Sequence, residues 1–223
     1  MRNTWRLGIV DVCVFASAAL AQQYQMDLTG VGNGANVSGV YVSPYQGTIS
    51  LGGSQIYSGY MICDDFNTES LLNQPWNATA TNAANVNSNV KFFNVSYQGH
   101  TAQEEYDAVA WLANGLLQAS NVDSWIAQTN FSFAIWDIFD GATTDPDGGA
   151  VSLITAAFNA VKNGYVGNNV TIFTPNPLNA SQEFLVVNAP VAAPEPSSVA
   201  LLAFDMVGAL ALIFFLRRRS VRP

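Results

Sequence analysis

The chain has 223 residues and a formal net charge of −8, with 49% hydrophobic but only 11% charged residues. Its basic residues crowd the two ends, so between Gln22 and Ala193 thirteen acidic residues face only Lys91 and Lys162, leaving −11. A surface of that sign repels phosphate backbones and argues against nucleic acid as a partner, whereas divalent cations and polysaccharide suit it better.

The N-terminus carries Arg2 and Arg6, followed by a mostly apolar run from Leu7 to Leu20 and the small-x-small triplet Ala19-Leu20-Ala21. This pattern predicts a signal peptide over residues 1–21, removed before Gln22 after passage through the Sec export machinery. Cys13 falls inside that segment, which leaves Cys63 as the one cysteine of the mature chain and excludes an intramolecular disulfide there. A lone thiol exported to an oxidising compartment is read as a buried small hydrophobe.

Residues 22–188, about 170 of them, suffice for one globular domain with its own core. Short alternating runs at 37–42 and 47–51, the second closed by Gly52-Gly53, read as strand and turn, and the run from Ile56 to Phe66 as a further strand. The Asn-, Ala- and Thr-rich stretch 73–89 reads as a surface loop with Trp76 pinned to the body, and 90–95 as a strand through Phe92 and Phe93.

Helical spacing begins near Thr101. Tyr106, Val109, Ala110, Ala113, Leu116 and Leu117 form one apolar stripe, and Glu104, Glu105 and Asp107 sit where the helix dipole favours negative charge. Asn121 or Asp123 is the expected cap of a second segment, 125–139, apolar on nearly every face and centred on Trp136. A third helix follows Asp145-Pro146-Asp147-Gly148-Gly149, with Asp147 as its expected cap. Residues 170–173 and 183–187 read as closing strands. The expected fold is α+β: an antiparallel β-sandwich or barrel-like core with about three helices in the second half.

A linker, 189–198, contains Pro194-Glu195-Pro196, and an apolar run from Val199 to Leu216 follows before Arg217-Arg218-Arg219. As a helix that run would be about 27 Å long, close to the hydrocarbon thickness of a bilayer, and the arginines place residues 217–223 in the cytoplasm. The ordered triplet of Pro-Glu-Pro, apolar helix and arginine cluster resembles the PEP-CTERM sorting signal of Gram-negative bacteria, an element also labelled after ice-binding proteins that carry it. The resemblance implies processing by an exosortase and a destination in the cell envelope or outside the cell. Asp205, inside the span, costs about 2.5–3.5 kcal/mol on insertion scales and suits a temporary tether.

Two segments of the body, Tyr60-Met61-Ile62-Cys63-Asp64-Asp65-Phe66 and Phe131-Ser132-Phe133-Ala134-Ile135-Trp136, resemble in order and spacing the motifs of bacterial thioester-domain adhesins. There a cysteine and a later glutamine form an internal thioester. Cys63 matches the thiol, but Ser132 occupies the glutamine position, so the resemblance implies a shared fold without the reactive bond.

Asp137, Asp140, Asp145 and Asp147 lie among glycines and form a candidate Ca²⁺ site of hard oxygen ligands, although their spacing is not that of an EF-hand. No other cofactor is expected. A Cys63–His100 pair and a glycosidase-like gathering of Asp64, Asp65 and Asp137 are the enzyme readings that residue identity permits. The reading adopted is non-enzymatic: an exported, exosortase-sorted envelope or matrix protein with a structural or adhesive role toward polysaccharide or a surface. The alternatives are a carboxylate-dependent glycan hydrolase and a Ca²⁺-dependent binding module.

Overall fold

The computed structural model describes residues 23–32, 35–37, 39–141 and 148–190. The expected signal peptide, the tail with its sorting motif and apolar run, and Asp145 and Asp147 lie outside them. Among the described residues no helix is long and apolar enough to cross a membrane.

The first strand, β1 (Tyr24–Gly30), buries Tyr24, Met26 and Leu28 at every second position. A two-residue pair, β2 (Asn36–Val37) and β3 (Val40–Tyr41), forms a small separate hairpin. Next come β4 (Tyr45–Leu51) and β5 (Ser54–Cys63), joined by Gly52-Gly53 with φ of 57° and 81°. Leu51 pairs with Ser54 across that turn, and positive φ at both central residues is what a tight hairpin requires, hence two glycines.

The strand β6 (Trp76–Asn82) runs where a surface loop is expected from the sequence. Its buried positions are Trp76, Ala78 and Thr81, mostly small side chains that hide the alternation. The small wall at Ala78, which pairs with Tyr24, lies beside the edge-to-face contact of Tyr24 on Phe173, ring centroids 5.4 Å apart. Residues 91–94 form a turn, and residues 90–95 do not make the expected strand. Their two-residue apolar spacing serves to anchor a loop, with Val90 and Phe92 buried and Phe92 stacked on Phe139 at 4.6 Å.

Three helices follow: α1 (Ala102–Leu116), α2 (Trp125–Asp140) and α3 (Ala150–Lys162). At the start of α1 the Thr101 hydroxyl accepts from Glu104 N while the Glu104 carboxylate accepts from Thr101 N, a capping box. The cap of α2 is Ser124, not Asn121 or Asp123, and its hydroxyl accepts from Ala127 N at 3.4 Å. Gly141 ends α2 at φ 62°, the left-handed conformation that lets its N–H return to Asp137 O. At the start of α3 stands Gly149, with no side-chain cap, in place of the expected Asp147. The last strands are β7 (Val170–Pro175) and β8 (Phe184–Val187).

Of the two expected β architectures the barrel is the one formed. Six antiparallel strands close in the order β1-β4-β5-β8-β7-β6, and all three helices are inserted between β6 and β7, which are themselves paired neighbours. Strand periodicity then assigns each side chain to one of two cores. Met61 and Cys63 of β5, Phe173 of β7, and Phe184 and Val186 of β8 fill the barrel. Ile62, Ile172 and Leu185, one residue out of phase with them, pack outside it among the helices with Trp136, Tyr106 and Leu112.

Candidate functional site

The end of β5 is where the barrel meets the helical layer. Cys63 N donates to Ser43 Oγ at 3.0 Å, and Ser43 N donates to Ser132 Oγ at 2.9 Å. The Trp136 indole N–H donates to the Cys63 carbonyl at 3.0 Å. All four residues are buried. The two thioester-like segments are thus brought together, with Ser43, which sequence reasoning did not single out, as the bridge between Cys63 and Ser132. Gln128, one turn before Ser132 on α2, does not substitute for the missing glutamine, because its carboxamide is committed to Ala35 N and the Val122 carbonyl. Burial pushes the Cys63 thiol well above its usual range. Its sulfur contacts the Asp65 carbonyl at 3.2 Å. The arrangement is that of a neutral, structural thiol.

Immediately after Cys63 the chain enters a buried polar cluster. Asp64, Asp65 and Glu183 are at most 1% exposed. Glu183 accepts from the Tyr106 hydroxyl at 2.5 Å, from Lys91 N at 2.9 Å and from the Thr174 hydroxyl. Both Asp64 carboxyl oxygens receive no hydrogen bond from any described group. Burial first, and then the Glu183 and Asp65 charges, hold the Asp64 carboxyl well above the ordinary range. Glu183 is raised by burial too, but its three donors stabilise its charged form. The unpartnered oxygens and the directions of these shifts agree if Asp64 is the neutral acid, donating its proton to Glu183. Lys91 Nζ pairs with Asp65 Oδ2 and also donates to Thr68 Oγ1 at 2.6 Å. Lys91 stands out in the sequence as one of two lysines in a strongly acidic domain, but nothing there pairs it with Asp65 or Glu183.

The remaining sequence-predicted residues are dispersed. His100 stacks on Phe158 at 3.9 Å and faces Glu104 at 3.7 Å, in contacts separate from those of Cys63. Burial, and then the nearby Asp137, raises the Tyr97 hydroxyl pKa, while Asp64 and Asp65 meet Glu183 and Lys91. Asp140, a candidate metal ligand, accepts from Phe66 N at 2.8 Å and from the Asn67 carboxamide at 2.7 Å, tying the end of α2 to the loop after Cys63. Among the described residues no group of three His, Cys, Asp or Glu side chains is placed to hold a metal ion.

Beside this junction a cleft of about 430 Å³ opens between the β2–β3 hairpin and the loop 66–72. Tyr41, Tyr45, Phe66 and Leu72 supply apolar walls, and Glu69 and Gln182 supply polar groups. Tyr41 is 46% exposed at its mouth. The Tyr45 hydroxyl donates to the Tyr41 carbonyl at 2.5 Å and so ties the hairpin to the barrel.

No family model matches the chain, and no curated protein does either. Among the solved structures similar to it are three bacterial domains. One is the N-terminal domain of the Streptococcus pyogenes pilus tip adhesin Cpa, with 15% identity, 78% of this chain and 97% of that chain covered, and a TM-score of 0.44. Another is the N-terminal thioester domain of a surface protein from Clostridium perfringens, with 9% identity, 74% and 98% covered, and a TM-score of 0.49. The third is the N-terminal thioester domain of the fibronectin-binding protein SfbI from Streptococcus pyogenes, with 12% identity, 77% and 95% covered, and a TM-score of 0.43.

Proposed function

We propose that the chain is an exported, non-enzymatic binding protein of the cell envelope or extracellular matrix, whose body takes up polysaccharide or another surface glycan. The observation that supports this most is the cleft beside β5, where exposed Tyr41 and half-buried Phe66 stand next to the carboxylate of Glu69 and the carboxamide of Gln182. Aromatic faces with a few hydrogen-bonding groups between them suit the mixed apolar and hydroxyl surface of a sugar ring. The composition adds to it, since a domain of −11 with two lysines repels nucleic acid and tolerates neutral glycans.

In this reading the signal peptide is removed between Ala21 and Gln22, and residues 22–188 are the working domain. The Pro194-Glu195-Pro196 motif with Arg217, Arg218 and Arg219 is the sorting element read by an exosortase, which leaves the domain at the surface or releases it. Cys63 and Ser132 hold the barrel against α2 and capture no nucleophile. The test is incubation of the purified protein with the exopolysaccharide of its own source cell. Retention without cleavage is the expected result, and loss of retention in Tyr41→Ala assigns it to the cleft. Released oligosaccharides would instead support the glycan hydrolase.

A further inference from the structure

Lys91 and Asp65 stand apart from every other ion pair the described residues make. Both come from loops, one directly after β5 and one between β6 and α1, and they meet with Asp65 1% exposed and the Lys91 side chain 18% exposed. Asp65 Oδ1 accepts from Thr68 N at 3.2 Å, and its Oδ2 faces Lys91 Nζ. On the other side of the amine lies Thr68 Oγ1, and the neighbouring backbone N–H of Lys91 is held by Glu183. Both reacting groups are therefore fixed at both ends.

We propose that Lys91 and Asp65 are joined by an intramolecular amide bond between Nζ and Cγ, formed by the folded chain itself. The step balances within the pair. A proton passes from the ammonium to the carboxylate, the freed Nζ lone pair adds to Cγ, and the charge that develops on Oδ1 is met by the Thr68 N–H. Oδ2 then leaves as water. Of the three ammonium protons two depart with that water and one stays on the amide nitrogen, so no oxidant, nucleotide or external acid is needed.

Two effects drive a condensation that free amines and acids in water do not complete. Held groups react at effective concentrations of about 10⁵–10⁸ M, which offsets the water that opposes the reaction. Burying an ammonium beside a carboxylate also carries a desolvation cost, and the neutral amide removes both charges. Little water reaches the pair: Asp65 is buried, and the Phe92 ring lies 5.9 Å from Nζ. The bond would link the loop after β5 to the turn before α1, and so the barrel to the helical layer, in a protein that carries no disulfide in its described body.

The bond is independent of what the domain binds and is tested without a ligand. The full chain is purified and its intact mass measured under denaturing conditions, with the N-terminus fixed by sequencing. A mass lower than the sequence by one water is expected. Digestion after glutamate, which cuts behind Glu69, should then leave the peptide holding Asp65 attached to the one holding Lys91. In Lys91→Arg, which keeps the ion pair but has no amine to acylate in this way, the full mass should return. A folded wild-type chain at its full sequence mass overturns the proposal. So does a water loss that persists in Lys91→Arg, since a succinimide at Asp140-Gly141 or Asp147-Gly148 gives the same mass. The branched peptide of the wild type decides the matter even if the variant fails to fold.

Discussion

The indole N–H of Trp136 donates to the carbonyl of Cys63 at 3.0 Å, a single bond that ties the middle of α2 to the last residue of β5. Trp136 is 1% exposed and also packs against Phe66 and Phe133, so it supplies volume and a donor together. The two contributions separate by substitution. Trp136→Phe keeps most of the packing but leaves the Cys63 carbonyl without this donor in a dry interior, and should cost about 1–3 kcal/mol in a urea melt. Trp136→Ala adds a cavity and should cost about 3–5 kcal/mol. A Trp136→Phe variant as stable as the wild type would mean that the hydrogen bond contributes nothing.

The thioester-like position gives a second prediction. Ser132 Oγ is the acceptor for Ser43 N, and both residues are fully buried. Ser132→Gln restores the residue type of the reactive motif but inserts three more heavy atoms into a filled space and disturbs that bond. It should destabilise by about 2 kcal/mol or more. Methylamine should not be incorporated by the variant, and its mass should show no loss of ammonia. Incorporation of methylamine would mean that the serine alone separates this chain from a reactive thioester. In the wild type the Cys63 thiol should react with a disulfide reagent only after unfolding, as its burial and raised pKa require.

How much of this was legible beforehand varies with the signal each element carries. The helices declare themselves: the stripe from Tyr106 to Leu117 and the Thr101–Glu104 box are local patterns, and local patterns survive tertiary context. β6 does not, because Ala78 and Thr81 face a crowded interior and are small for that reason. Val90 and Phe92 mislead in the opposite sense, with strand-like spacing that serves a turn. For the site, the pairing of Cys63 with the Ser132 segment was readable from two motifs. The Asp64–Glu183–Lys91 cluster was not, because its members lie as much as 119 positions apart and only barrel closure brings β8 beside β5.

The Asp64–Glu183 pair yields the last prediction, through linkage between protonation and folding. Asp64 in the folded chain has a pKa raised above that of the unfolded chain, where a free aspartate titrates near 4. The folded state therefore holds a proton that the unfolded state releases once the pH exceeds about 4. Stability from this group is fully present below that point and declines as the pH rises toward the folded pKa, by up to about 1.4 kcal/mol per pH unit. Thermal melts between pH 4.5 and 8 should show a falling Tm. Asp64→Asn keeps a neutral side chain that can still donate to Glu183 and has no proton to lose, so its slope should be shallower and its advantage over wild type should grow with pH. Tyr106→Phe withdraws a donor from Glu183 at 2.5 Å and should lower stability by about 1–3 kcal/mol while leaving the Asp64 slope in place. A wild-type Tm that rises across this range, or an Asp64→Asn slope equal to that of the wild type, would show that Asp64 is ionised in the folded chain.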